Sequence, residues 1–380
     1  MTKRERLLAT LAGRIPDCVP VMPDISNMVP AKLTGKPFWD LYLYNDPPIW
    51  EAYIAAARYF DLDSLMDGYA PLIFPEEINP DAPQWEQFIV NRTEDRIVTQ
   101  QSRVDKGERI WAGHVTVYRI ADPPVWGVPP EKLGLPSIPE RWEPVEGAKP
   151  VDYGPANLGR LKRMMGDNGL VGAYVISSCA IGSEEALYHY HDNPDKHEEW
   201  AQQRIEAGDA RFHRIMALDE DNRPDFLAVG GSGTLIWQTP AIFRQLALPA
   251  LKHVISLAAD AGIPTHIHSC GPERELVKIM ALETELTIID PLERPPMGDC
   301  DLAELKRLYG DKICLKGNLH TTDTMWRGTV EDVVAAAKQA IDDAAEGGRF
   351  VLSTGDQCGR DTPFENLHAM VEVARTYGRY

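Results

Sequence analysis

The chain has few cations for its size, 39 Lys and Arg against 57 Asp and Glu, and a net charge of −18 at pH 7. Nucleic acid is bound through Lys and Arg on its phosphates, so a nucleic-acid partner is not expected, and no basic run offsets the acidity. No stretch approaches the roughly 20 apolar residues that a membrane span requires. Six cysteines in 380 residues, with no recognisable leader at the start, are too few for a disulfide framework and point to free or metal-bound thiols in a reducing, cytoplasmic setting. Internal repeats and low-complexity tracts are missing too. The sequence therefore reads as one large folded enzyme-sized chain with a substantial core.

What is present is an alternation of apolar runs and amphipathic stretches. The runs are Cys18–Pro23, Asp63–Tyr69, Leu170–Ser178, Phe226–Gly233, Pro264–Gly271, Glu285–Glu293, Ile313–Leu319 and Arg349–Cys358. Near-continuous apolar segments ending in Gly, Ser, Asp or His are the pattern of parallel strands buried on both faces. Eight of them separated by helices predict an α/β fold of the (β/α)8 TIM-barrel type, a single domain over residues 1–380. Two linking helices carry clear boundary signals. One runs from Thr239-Pro240 to Gly262, and the other opens at Thr329 with an acid three residues on and stops at Gly347-Gly348. Between the second and third expected strands, residues 71–153 are rich in proline, hold Trp85, Trp111, Trp126 and Trp142, and alternate in runs such as Arg96-Ile-Val-Thr-Gln. This segment predicts a β-rich insertion, its tryptophans forming either a satellite core or the wall of a pocket.

The chemistry concentrates in Thr265-His-Ile-His-Ser-Cys-Gly271, where His268 and Cys270 stand two residues apart at the end of an apolar run. On a strand this spacing puts both on one face, and a thiolate beside an imidazole suits zinc better than magnesium or calcium. A third ligand should come from another strand end. Cys358, in Leu352-Ser-Thr-Gly-Asp-Gln-Cys-Gly-Arg360, fits best, with Asp356 of the same turn as its rival. Glu293, after the sixth run, is the candidate for an exchangeable fourth position and the catalytic group, the arrangement of a catalytic rather than a structural zinc. His266 reads as a hydrogen-bonded core residue. Cys18, Cys179 and Cys314 read as small buried side chains, and Cys300 as an exposed residue at a helix start.

Six segments carry a resemblance: Pro240-Ala-Ile-Phe-Arg with Leu248-Pro249 downstream, His268-Ser-Cys-Gly271, Asp301-Leu-Ala-Glu-Leu-Lys306, Leu315-Lys-Gly-Asn318, Gly328-Thr-Val-Glu331 and Thr362-Pro-Phe-Glu-Asn366. In these the chain resembles the uroporphyrinogen decarboxylase superfamily, and within it the zinc-dependent, corrinoid-linked methyltransferase branch. The resemblance implies a (β/α)8 barrel and zinc on His268, Cys270 and Cys358, with Glu293 giving way to substrate. It also implies a corrinoid (cobalamin) supplied by a separate corrinoid-binding protein, and a small-molecule methyl donor or acceptor. Decarboxylation itself fits poorly. The family's arginine-bearing loop after the first strand is Met22-Pro-Asp-Ile-Ser-Asn-Met here, and its Gly-His-Gly turn is Gly355-Asp-Gln357. In the similar thiol methyltransferases the last Cys follows the turn glycine directly, where this chain has Asp356. The implied reaction is methyl transfer from an O-methyl substrate, a methoxylated aromatic, to Co(I). Transfer from a methylcorrinoid to a thiol and a metal-free decarboxylase-like enzyme are the alternatives.

Overall fold

The computed structural model describes residues 1–66 and 72–380. The end of the expected strand Asp63–Tyr69 and Pro71, the first residue of the expected insertion, lie outside the described residues. The chain divides into two compact units, one of Met1–Asp24, Ala57–Leu72 and Tyr153–Tyr380, the other of Ile25–Ala56 and Ile73–Asp152. Among the described residues no helix is long and apolar enough to cross a membrane.

In chain order the strands are β1 (Ser64–Met66), β2 (Glu86–Arg92), β3 (Arg96–Asp105), β4 (Glu108–Arg119), β5 (Val125–Val128), β6 (Glu143–Pro144), β7 (Gly169–Tyr174), β8 (Phe226–Ala228), β9 (Thr265–His268), β10 (Ile288–Asp290), β11 (Cys314–Leu319) and β12 (Phe350–Thr354). The first unit holds a mostly parallel curled sheet in the order β1-β7-β8-β9-β10-β11-β12, with helices between the strands. Every residue of β11 and β12 is buried, which is why their sequences show no polar alternation. Close packing between strands depends on small residues: a Cβ on Gly172 would lie 2.4 Å from the Phe226 ring.

The expected strand Cys18–Pro23 forms only isolated bridges, Cys18 with Arg379 and Val21 with Leu352. Pro20 and Pro23 have no N–H to give, so a continuous ladder cannot form. The bonds that remain are specific. Met22 N–H donates to Leu352 O at 2.9 Å, Leu352 N–H to Pro20 O at 2.9 Å, and Asp63 N–H to Val21 O at 3.0 Å.

The linking helices follow their boundary signals. Thr239 caps Pro240–Ile242, a π-helical turn covers Phe243–Ala247 ahead of Pro249, and the helix continues over Leu248–Asp260 to Gly262 at φ +69°. Thr329 and Asp332 form a reciprocal capping box at the start of Val330–Ala344.

The second unit holds a five-stranded antiparallel sheet, β5-β4-β3-β2-β6. Alternation along β3 and β4 supplies two apolar clusters on its two faces: Ile89, Ile97 and Tyr118 with Leu43, and Val98, Val115 and Val117. At the far end of the hairpin the Arg109 guanidinium lies 4.7 Å from the Phe88 ring centroid, and Trp111 meets Trp142 edge-on at 5.3 Å. Trp111 and Trp142 thus belong to a local cluster, whereas Trp126 is 66% exposed.

Candidate metal centre

Strand register builds the site. β9 and β10 pair in parallel with His266 opposite Ile288 and His268 opposite Asp290, so His268 and Asp290 sit side by side at the C-terminal ends of their strands. Asp290 Oδ1 lies 2.9 Å from His266 Nε2 and 3.2 Å from His268 Nδ1, and Oδ2 accepts from the buried Lys316 ammonium of β11. Burial alone would push the Asp290 carboxyl up, but Lys316, His266 and His268 together hold it well below the usual carboxylate range. For His268, burial opposes the charge, yet Asp290, a contact with Cys270 and the nearby Asp24 raise it well above an ordinary imidazole. His268 Nε2 points toward Asp356, with Oδ1 at 3.8 Å. His266, 1% exposed, is the hydrogen-bonded core residue its position suggested.

β9 stops at His268, so Cys270 does not share a strand face with it as expected. Ser269 N–H gives the ladder its last bond, to Asp290 O at 2.8 Å, and the chain then turns at Gly271, which takes φ +93°. Cys270 nevertheless reaches the His268 ring from the turn. Glu293 arrives from the turn after β10. Its Oε2 accepts the Gly271 N–H at 2.5 Å, and its own carbonyl accepts Cys300 N–H at 3.0 Å. Leu292, at φ +61°, is fixed between Glu273 Oε2, which takes its N–H at 2.7 Å, and the Asn318 amide, which donates to its carbonyl at 2.9 Å. Glu273 is wholly buried, its Oε1 has no hydrogen-bond partner among the described residues, and burial pushes its carboxyl well up.

The turn after β12 holds the two rival ligands in different settings. Asp356, at φ +103°, faces His268. Burial, with Asp24 and Glu293 nearby, pushes its carboxyl to about 6 against the pull of that imidazole. Cys358 is 0% exposed, four residues past the strand, with its N–H on Asp24 O at 2.7 Å. Burial pushes its thiol up to about 12, Asp24 adding to the effect and contacts with the Thr354 and Thr362 hydroxyls opposing it. The structure therefore brings His268, Cys270 and Asp356 toward one another, engages Glu293 on a backbone amide, and sets the Cys358 thiol among threonines. Among the described residues no three His, Cys, Asp or Glu side chains converge closely enough to hold an ion.

The donor chemistry still fits a thiophilic cation. The Cys270 thiol and the Asp356 carboxylate approach the His268 imidazole, with Asp24 nearby, while Lys316 is already committed to Asp290. A divalent ion would offset the burial, and the lesser push of Asp24 and Glu293, that hold Asp356 up.

Two cysteine expectations are corrected. Cys300 is 3% exposed, because its N–H on Glu293 O folds it beneath the turn before the Asp301 cap, and burial drives its thiol far up. Cys179 lies past β7 and is only partly buried, with its thiol near Gly231 O, because the strand ends at Tyr174. Cys18 and Cys314 are buried as expected. His320 caps the π-helical turn Thr321–Trp326, its Nδ1 accepting Asp323 N–H. Sequence reading passed over Asp290, Lys316 and Glu273. A lysine and an aspartate inside otherwise apolar strands were the available signal.

Residues 233–377 match the family described as Uroporphyrinogen decarboxylase (URO-D). The chain is 29% identical over 137 residues to the methylcobamide:CoM methyltransferase MtbA of Methanosarcina mazei, a match covering 36% of this chain and 37% of that protein. It is 30% identical over 139 residues to the methylcobamide:CoM methyltransferase MtaA of Methanosarcina barkeri, covering 37% and 38%. The chain thus spans little more than a third of the length of the curated relatives it matches. In fold, the likeness extends over the whole chain. A methyltransferase from Methanosarcina mazei superposes with a TM-score of 0.60 over 99% of both chains, at 18% identity.

Proposed function

We propose that this chain, which carries a URO-D family domain over residues 233–377, is a corrinoid-dependent methyltransferase whose metal centre is zinc at the C-terminal ends of its parallel strands. His268 and Cys270 are the first two ligands, Cys358 or Asp356 the third, and Glu293 the exchangeable group that leaves for substrate. The supporting observation is that His268 meets the Cys270 thiol and turns Nε2 toward the Asp356 carboxylate, 3.8 Å away. On this reading the sheet closes as a (β/α)8 barrel, with Val21 as the narrow first stave between β12 and β1, and residues 71–153 are an insertion between its second and third strands.

Zinc bound there would act as a Lewis acid on a substrate oxygen or as the holder of an acceptor thiolate. The chain's own residues do the rest. Asp290 orients His268, the Gly271 amide holds the Glu293 carboxylate, and Asn318 with Glu273 fixes the turn between them. The corrinoid belongs to a separate protein in the cytoplasm. Our preferred direction is demethylation of a methoxylated aromatic, because Asp356 occupies the turn position where the thiol-type pattern has its cysteine. The names of the two Methanosarcina relatives favour the second reading, transfer from a methylcorrinoid to a thiol acceptor.

Elemental analysis of the purified protein tests the centre. About one zinc per chain is expected, lost in Cys270→Ser. Loss in Cys358→Ser as well makes Cys358 the third ligand, whereas loss in Asp356→Asn with retention in Cys358→Ser makes it Asp356. A metal-replete preparation without zinc returns the chain to a metal-free enzyme of the decarboxylase type. Corrinoid absorbance on mixing with methoxyarenes or with a thiol then separates the two directions.

A further inference from the structure

We propose that Asp290 is the positioning residue of the centre: held by Lys316 and His266, its carboxylate takes the Nδ1 proton of His268 and leaves Nε2 as the nitrogen presented to the metal. The consequence for zinc rests on the metal-site reading above, but the hydrogen bond itself does not.

The argument is geometric. Three adjacent parallel strands meet at a buried point, β9 giving His266 and His268, β10 Asp290 and β11 Lys316. Asp290 and Lys316 are 1% and 3% exposed. Lys316 takes Oδ2, and His266 Nε2 at 2.9 Å takes one side of Oδ1, so the carboxylate is restrained at both oxygens before His268 is considered. The remaining approach to Oδ1 is filled by His268 Nδ1 at 3.2 Å. His266 is in turn braced edge-on by Phe226, with 6.0 Å between ring centroids. The backbone of His268 is fixed by the end of β8: a Cβ on Gly230 would stand 2.6 Å from His268 N and 2.8 Å from His268 O. A ring held at its backbone and at Nδ1 has one nitrogen left to offer, and Nε2 is the one that faces Asp356 at 3.8 Å.

A purely structural role explains this less well. A buried ion pair is seldom more stabilising than an apolar pair of the same volume, and β10 and β11 are otherwise apolar where they meet. A carboxylate behind a ligand histidine fixes the ring's tautomer and raises its basicity, and removing such a partner typically weakens metal binding about 10–100-fold. Nothing in the spacing of His268 and Cys270 requires Asp290. The register of β9 on β10 does.

The test uses the full chain, labelled with 15N-histidine and loaded with 113Cd. One-bond coupling identifies which ring nitrogen holds the ion, with His268→Ala assigning the signals. Wild type should show coupling at His268 Nε2. Asp290→Asn keeps an acceptor oxygen and should keep Nε2 coupling with weakened affinity. Asp290→Leu combined with Lys316→Met removes both buried charges together, which protects folding, and its melting curve confirms a native state. In that double variant cadmium affinity should fall about 10–100-fold, with coupling at Nε2 lost or shared with Nδ1. Unchanged affinity and unchanged Nε2 coupling in the folded double variant would overturn the proposal. If the wild type takes up no cadmium, the metal-site reading fails and the hydrogen bond is read directly in the metal-free protein. A slowly exchanging Nδ1 proton on His268, lost in the double variant, supports the positioning role, and no such proton in the wild type overturns it.

Discussion

The two ends of the parallel strands treat buried charge in opposite ways. At the N-terminal ends the buried carboxylates Asp63 and Asp225 have cations. Asp63, directly before β1, is 0% exposed and accepts from Arg6 at 2.5 Å and Arg375 at 2.7 Å. Asp17 pairs with Arg6, Asp61 with Lys3 and Arg375, and Asp225, directly before β8, takes a two-pronged bond from Arg4. Among the described residues at the C-terminal ends, Asp290 is the buried carboxylate matched by a lysine. Glu293 lies near both Glu273 and Asp356, and the Cys270 thiol touches His268. Matched charges hold the strands' entry in place, whereas the unmatched set leaves a site in want of a cation. The division agrees with the rule that barrel-type folds keep stability at one face and chemistry at the other.

The strongest way to break this comparison is to unmatch the stable end. Asp63→Ala takes the buried partner from two guanidinium groups, leaving Arg6 to Asp17 and Arg375 to Asp61, and its unfolding free energy in urea should fall by about 3 kcal/mol, the low end for breaking a buried pair. Zinc content and methyl transfer per folded molecule should not change, since Asp63 lies at the opposite ends of the strands from His268. A loss of zinc in the folded variant would mean that the two ends are not separable.

A smaller effect is expected at the reactive end from Gly230→Ala. The new methyl would meet the His268 backbone at 2.6 Å, a fixed neighbour rather than the tip of a flexible side chain. Overpacking of this kind costs about 1–3 kcal/mol, and here it should also lower zinc affinity by displacing the His268 ring. Gly113→Ala is the control, because a Cβ at that strand position meets nothing within 4 Å. Calorimetry and metal competition on the pair should show both losses in Gly230→Ala and neither in Gly113→Ala.

Much of this architecture was legible as apolar runs, because strands buried on both faces must be apolar throughout. What the runs concealed was where each ladder stops. Pro264–Gly271 and Arg349–Cys358 continue as sequence patterns past His268 and Thr354, yet the backbone turns there, so Cys270 comes to His268 from a turn and Cys358 lies beyond one, among threonines. Cys18–Pro23 looked like a strand and is broken by its prolines. The grouping of Ile25–Ala56 with the antiparallel unit was invisible, since helical residues do not announce which core they join. His268, Cys270 and Asp356 could be named because soft or acidic ligands at strand ends are chemically unusual. Asp290 and Lys316 were equally visible as charges in apolar strands, but their meaning depends on pairing across three strands, which is a tertiary property. Glu273 carried no signal, being one glutamate among many in an acidic chain.

The smallest expected effect concerns the pH dependence of stability, and the two ends should show opposite signs. Arg6 holds Asp17 below the usual carboxylate range through its hydrogen bond, so the native state has fewer protons on this group than the unfolded chain. Its contribution is present above the unfolded value of about 4 and disappears as pH falls through the lower native value. Stability lost in Asp17→Asn should therefore be seen at neutral pH and vanish in acid. Asp17 is 41% exposed, so solvent screening keeps this difference modest. Glu273 runs the other way, since burial lifts its carboxyl and the native state keeps a proton that the unfolded chain has already released. That group lowers stability progressively as pH rises above about 4, until the native carboxyl also ionises. Glu273→Gln supplies the neutral form permanently, so it should match wild type in acid and exceed it in urea midpoint toward neutral pH. Equal slopes for the two variants would mean that the charges at the two strand ends are balanced alike.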